Sequence, residues 1–487
     1  MYHFNKDFNM KKNNINLNNS FFLLVIIFTV ITSCKKLDET PQSFVTPENF
    51  YTTPGQVEAT FASAMNNLWD YWGGYGYGMG TFVNDDQLDG GDLVISRNHG
   101  SDLYNRHYAA ILNLNTAMAA MKKGSLGAGT SQEVYDVLMA QAKFLRAYNY
   151  FMLVRMFGAL PLLTEDTQDP LNAKISRSPI TDVYNLIVSD FTEAINKLPA
   201  EWPAAQQGRP TSGAAKGLLA KVYLTMATAP LNDASNYQKA ADLAKQVMQE
   251  GKYSLVPDIT KAFSLETKYG PEIMWSFNSN YADINTDPQI YKPGLLGGWG
   301  DFRVQREWEQ QYPAEPRKAA YILTEIDGKN YTEWESDQSP FIKKFMYDKE
   351  EDFDNYSSIM NMPIIRYADV LLIYAEAANM ANGSPTQEAV DAVNLVIDRA
   401  NGYTENPLHA KLTIGMTKEA FDAAVIEERN QELCFEYDRW FDLIRKRILK
   451  EKSIPSIQQN FTEDDYLFPI PDNDIQLNPL LTQNPGY

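Results

Sequence analysis

The sequence predicts a mostly α protein, with tetratricopeptide-like helix pairs forming a scaffold packed against an irregular, loop-rich part with short strands. Three observations predict it. Hydrophobic residues make up 44 % and charged residues 22 % of the 487-residue chain, a balance that builds a core and excludes both a disordered chain and a polytopic membrane protein. A series of segments, most of them three turns or longer, carry helical periodicity with alanine on the packing faces. Between roughly 250 and 360 that periodicity fails, and Gly, Pro, Asn and aromatic residues take over.

A first helix leads up to Trp69. Thr130 and Glu133 form a capping-box signature ahead of a helix over Val134 to Phe157, apolar nearly all round as a buried helix should be. Gly158 and Pro161 stop it. Ser178-Pro179 opens the next, with Val183, Leu186, Ile187, Phe191 and Ile195 on one side. Further helices are predicted over about 212–228, 236–249, 366–381, 386–400 and 417–447, with Ser384-Pro385-Thr386-Gln387 giving another capping box with Pro at N1. Glu272 to Phe277 reads as a strand. A strict repeat of about 34 residues cannot be written down, so the helix pairs are tetratricopeptide-like only in outline.

With 43 Lys+Arg against 62 Asp+Glu and a formal charge of −19, the surface repels phosphate backbones, and nucleic acid is not an expected partner. Of the two cysteines, Cys34 has a separate fate, which leaves Cys434 and no disulfide framework. His3, His99, His107 and His409 show no zinc-ligand spacing, and the Walker A and G-x-S-x-G patterns are absent. The chain is expected to use no cofactor. A structural Ca²⁺ on carboxylates stays open, with nothing in the sequence to specify it.

Residues 1–33 read as an address. Lys11 and Lys12 precede an apolar run from Phe21 to Ile31, too short for a membrane span of about 20 residues and suited to the core of a secretory signal. Met10-Lys11-Lys12 is a more usual signal opening than Met1, so translation is expected to start at Met10. Ile31-Thr32-Ser33-Cys34 resembles the lipobox of bacterial lipoproteins, which implies cleavage before Cys34 and acylation (palmitate among the chains) of that residue. Residues 34–50, polar and interrupted by Pro41, then serve as a lipidated tether.

Three distant segments together resemble the SusD/RagB family of Bacteroidetes outer-membrane nutrient-binding lipoproteins. The first runs Ala142-Lys143-Phe144-Leu145-Arg146-Ala147-Tyr148 and on through Phe157-Gly158-Ala159-Leu160-Pro161. The second is Ile365-Arg366-Tyr367-Ala368-Asp369-Val370-Leu371-Leu372-Ile373-Tyr374-Ala375-Glu376-Ala377. The third joins Glu427-Glu428-Arg429-Asn430-Gln431-Glu432-Leu433 to Glu436-Tyr437-Asp438-Arg439-Trp440-Phe441-Asp442-Leu443-Ile444-Arg445. Pro469-Ile470-Pro471 and the closing Gln483-Asn484-Pro485-Gly486-Tyr487 also look like that family's tail. The resemblance implies a SusD-like N-terminal helical region over 51–250 and a C-terminal region over 251–487 carrying variable ligand loops.

The charges in these motifs read as scaffold. Glu428–Glu432 and Glu432–Glu436 are like-charge pairs four residues apart, each unfavourable by about 0.2–0.5 kcal/mol alone. They make sense within a partly buried ion-pair network that includes Arg429 and Arg439, with Arg146 and Arg366 as partners from other helices. Trp440 and Trp275 are expected in the core.

The contact surface is expected elsewhere. Trp69-Asp70-Tyr71-Trp72-Gly73-Gly74-Tyr75-Gly76-Tyr77-Gly78-Met79-Gly80 is followed by Asn84-Asp85-Asp86 and Asp89, and residues 291–303, from Tyr291 through Trp299 to Arg303, repeat the composition. Flat aromatic faces stack on the C–H patches of pyranose rings while carboxylates accept from hydroxyls. The resemblance places Asp85 and Asp86 where relatives carry an acidic pair, and Trp299 in a ligand loop. Trp72, Tyr75, Tyr77, Asp85, Asp86, Tyr291, Trp299 and Arg303 are therefore the candidate glycan contacts.

The function this implies is a non-catalytic lipoprotein, lipid-anchored through Cys34 in the outer membrane and facing the cell exterior. It would bind oligosaccharide or polysaccharide and pass it to a SusC-like TonB-dependent transporter. The same architecture binding peptides is the alternative. A glycoside hydrolase using Asp85, Asp86 or Asp89 is remote, because adjacent carboxylates on a glycine-rich loop rarely hold the about 5–5.5 Å separation that a retaining pair needs.

Overall fold

The computed structural model describes residues 50–69, 88–89, 100–170, 172–279, 290–346, 359–436, 438–452 and 461–487. Six helices come first: α1 (Pro54–Trp69), α2 (Ser101–Lys122), α3 (Gln132–Phe157), α4 (Ile180–Lys197), α5 (Ser212–Met226) and α6 (Asn236–Glu250). Each packs against the next in chain order, so short connections generate a stack of antiparallel neighbours. The buried helix α3 is the spine, hidden from Leu138 onward apart from Lys143 and Arg155. Its N-cap is Ser131, whose hydroxyl accepts from the Val134 N–H, one residue later than the expected Thr130. Gly158 closes it with φ 74°.

Helix α2 has no counterpart in the sequence reading. Gly100 precedes it in a left-handed conformation without a side-chain cap. Asn113, Asn115 and Thr116 interrupt its apolar stripe, and Asn115 turns inward to donate to the Leu163 carbonyl. Start signal and periodicity were both weak, and packing between α1 and α3 decides the helix.

After α6 the chain leaves the stack for more than a hundred residues, then returns as α9 (Tyr367–Asn382), which packs directly on α6 and α5. Helices α10 (Gln387–Ala400) and α11 (Lys418–Glu432) lie against α9. Thr386 rather than Ser384 caps α10, accepting from the Ala389 N–H. The helix expected over 417–447 is two helices: α11 stops at Glu432, Phe435 adopts φ 64°, and α12 (Asp438–Lys446) starts in a new direction.

The excursion holds short elements. Its strands β3 (Arg303–Val304), β7 (Phe341–Ile342) and β4 (Ile322–Leu323) extend an antiparallel sheet that begins with β1 (Leu88–Asp89), from the chain ahead of α2, in the order β1-β3-β7-β4. Strand β2 (Ile273–Phe277) pairs with β8 (Met362–Arg366), Ile273 opposite Arg366, and β5 (Glu325–Ile326) pairs with β6 (Lys329–Asn330). Two short helices, α7 (Arg306–Gln311) and α8 (Pro316–Tyr321), link them. The β2 strand lies on the stack: Trp275, 4 % exposed, meets Phe144 and Tyr148 of α3 edge-to-face at 4.9 and 5.0 Å. Trp440 is buried at 1 %. No described helix is long and apolar enough to cross a membrane.

Candidate functional site

The motif charges converge at the junction of α8, α9, α10, α11 and β2. Glu432, fully buried, receives Arg366 Nη1 at 2.7 Å and Arg399 Nη2 at 2.6 Å on one oxygen, and Arg317 Nη1 at 2.9 Å on the other. Arg317 also reaches Glu428 at 2.6 Å, and Arg366 reaches Glu436 at 2.8 Å, so a guanidinium bridges each like-charge pair. Glu272 takes Arg366 at 2.8 Å and Arg399 at 2.5 Å, while Glu315 takes Arg317 at 2.7 Å. Lys344 donates to the Glu432 and Cys434 carbonyls and to Glu436, and thereby closes the C-terminal end of α11. Burial works against the ionised Glu432, yet Arg399, Arg366 and Arg317 hold its carboxyl well below the usual range.

His409 completes this cluster. Its Nδ1 lies 2.5 Å from Glu315 and its Nε2 2.7 Å from Glu428, so both ring nitrogens face carboxylates and both must donate. Burial opposes the charge, but these two hydrogen bonds push its pKa up to about 9. Four Arg/Lys side chains and one imidazolium then face five glutamates, and the cluster is neutral.

Two expectations are corrected. Arg146 does not join this cluster: it sits on α3, donates to Asp190 at 2.7 Å and Glu165 at 2.5 Å, and pairs with no α11 glutamate among the described residues. Arg429 meets no carboxylate of that cluster among the described residues; it pairs instead with Asp369 at 2.7 Å and Asp442 at 2.8 Å within a second cluster. That cluster continues through Lys221 to Asp438 and through Arg445 to Glu376. Arg439 is buried at 3 %. All of these carboxylates face cations inside the protein, which is a bracing arrangement and leaves none of them poised against solvent for acid–base work.

The outward-facing region is the 290–304 loop. Phe302 N–H donates to the Ile290 carbonyl, and Leu296 and Gly298 N–H groups donate to Pro293, so the loop closes on itself. Its glycines make that closure: a Cβ on Gly298 would fall 2.1 Å from the Lys292 carbonyl oxygen. Trp299 emerges at the surface, 41 % exposed, beside Leu295 at 45 % and Leu296 at 36 %. Arg303 follows on β3, half-buried. Tyr291 departs from expectation: it is 1 % exposed, with Phe302 and Phe345 rings at 6.3 and 5.6 Å, so it supports the loop from beneath instead of offering a face.

Trp72, Tyr75, Tyr77, Asp85 and Asp86, like Cys34, lie outside the described residues. The end of that N-terminal segment is nonetheless placed. Leu88 pairs with Val304 and Asp89 with Arg303 in the β1–β3 ladder, so Leu88–Asp89 and the end of the 291–303 loop, about two hundred residues apart in sequence, share one sheet. The composition common to the N-terminal segment and the loop is the signal that pointed to both.

Fold and surface together define a helical scaffold, braced by buried ion pairs, that presents an exposed aromatic loop. A family profile described as the SusD family matches residues 225–487, and one described as starch-binding associating with outer membrane matches residues 78–224. The chain is 28 % identical to SusD-like protein P2 of Formosa agariphila, over 95 % of this chain and 98 % of that protein. A SusD homolog from Bacteroides thetaiotaomicron superimposes with a TM-score of 0.80 at 23 % identity, covering 91 % of this chain and 98 % of the other. Surface glycan-binding protein A from Bacteroides uniformis superimposes with a TM-score of 0.72 at 21 % identity, covering 89 % and 99 %. This chain belongs to the SusD family.

Proposed function

We propose that this protein is a cell-surface lipoprotein, lipid-anchored through Cys34 in the outer membrane. It binds oligosaccharide or polysaccharide and delivers it, without cleaving it, to a SusC-like TonB-dependent transporter. The exposed Trp299, set on a loop locked by its own backbone hydrogen bonds and joined through β3 to the segment ending at Asp89, carries the reading. An indole on a loop closed by its own backbone hydrogen bonds offers a flat apolar face on which a pyranose ring can stack with little reordering of the backbone beneath it. The family description of starch binding and the glycan-binding role named for the Bacteroides uniformis relative support a saccharide as the ligand. The lipobox-like Ile31-Thr32-Ser33-Cys34 supports the anchor.

A glycan-array screen of residues 35–487 tests this. The wild type is expected to bind at least one polysaccharide without releasing reducing ends, and Trp299→Ala to weaken that binding at least about tenfold, as loss of one aromatic anchor does. Unchanged affinity in Trp299→Ala, or reducing-end release by the purified wild type, overturns the reading.

A further inference from the structure

A cleft of about 300 Å³ opens between α1, α3, the turn before α5, and β2, and it shares no residue with the Trp299 surface. Phe61 and Met65 from α1 and Trp275 from β2 supply its apolar walls. Its one charged pair is self-neutralised, because the Arg209 guanidinium grips the Glu58 carboxylate at 2.5 and 3.1 Å. Asn278 is tied into the wall: its Nδ2 donates to the Gly208 carbonyl at 3.0 Å, and its Oδ1 accepts from Ser276 and Asn361 at 3.0 and 3.2 Å. Gly208 is pressed so close that a Cβ there would fall 2.7 Å from Asn278, so this wall is fixed.

Gln141 is the exception. It lines the cleft from α3, is only 4 % exposed, and its Nε2 has no hydrogen-bond partner among the described residues. An amide donor held out of water without an acceptor is unfavourable, and buried polar groups in folded proteins are nearly always paired. A ligand oxygen would pair it. The cleft has no net charge to hold a phosphate or carboxylate, its walls suit C–H groups, and its volume is at the low end for small-molecule sites.

We propose that this cleft binds one uncharged sugar ring, with a ring hydroxyl accepting from Gln141 Nε2 and the ring faces against the apolar walls. The site goes beyond the surface reading and stands on different residues.

Isothermal titration and saturation-transfer NMR with D-glucose, D-galactose, D-mannose, D-xylose, L-fucose and N-acetylglucosamine test it. The wild type is expected to saturate with at least one of them in the millimolar range. Ala62→Trp places an indole at an exposed position of α1 on the cleft's mouth and should abolish that binding without disturbing the fold, as checked by circular dichroism. Gln141→Leu, which keeps the volume and removes the donor, should weaken it about tenfold. Trp299→Ala should leave it unchanged while weakening polysaccharide binding, so the two sites fail separately. Absence of binding for all six sugars, or binding that survives Ala62→Trp, overturns the proposal. Loss of monosaccharide binding in Trp299→Ala overturns it too.

Discussion

The α11 junction and the 290–304 loop use charge and aromatic residues in opposite ways. At the junction, Arg317, Arg366 and Arg399 each serve at least two carboxylates, and every partner sits out of water. In the loop, the backbone holds itself closed and the large side chains Leu295, Leu296 and Trp299 are left at the surface. The contrast separates what the protein needs in order to fold from what it presents. Removing a bracing residue leaves buried charge uncompensated, whereas removing a presented one leaves the fold nearly indifferent.

The sharpest way to break this comparison is Arg366→Ala. It takes one cation away from Glu272, Glu432 and Glu436 together and leaves the buried cluster one positive charge short, so a loss of about 3–5 kcal/mol is expected in urea denaturation, enough to compromise expression. A variant with wild-type stability would show that the cluster is not bracing the fold.

An intermediate effect should come from pH. The His409 pKa is raised from an ordinary 6.5 to about 9 in the folded protein. The folded state therefore holds this proton more tightly than the unfolded chain. Its stabilisation is fully present below about pH 6.5 and is lost as pH rises through about 9, a change on the order of 2 kcal/mol after allowing for partial exposure. Urea midpoints measured across that window should fall in the wild type and stay flatter in His409→Leu. Equal slopes would remove His409 from the cluster's charge balance.

The smallest expected change in stability belongs to Trp299→Ala, within about 0.5 kcal/mol by the same denaturation measurement, because the indole is exposed. A destabilisation as large as that of Arg366→Ala would mean that the loop is part of the core, and the distinction between the two regions would collapse.

The long periodic helices were legible because each carries its own signal. The α3 helix has an apolar surface almost all round, a polar cap and a Gly stop, and α4 has its apolar stripe after Ser178-Pro179. The break after Glu432 was not legible, since the local pattern through Cys434 and Glu436 continues in helical register. What turns the chain is the capping of the Glu432 and Cys434 carbonyls by Lys344, with Arg366 also on Glu432, from 66 to 90 residues away. Among the candidate contacts, glycine and aromatic composition located the 291–303 loop but could not rank its rings. Trp299 faces outward and Tyr291 inward only because Phe302 and Phe345 close over the latter.

By itself the sequence determined the helical class, the family and the fact that Glu428, Glu432 and Glu436 required partners, because periodicity, motif and like-charge spacing are local properties. Only the tertiary structure decided which partners those were. Arg317 stands 111 residues from Glu428, Glu272 stands 94 from Arg366, and His409 bridges Glu315 and Glu428 from a connecting loop. A charge carries no record in its neighbours of which distant charge it will meet; that pairing is settled where packing excludes water and makes each ion seek the nearest opposite one.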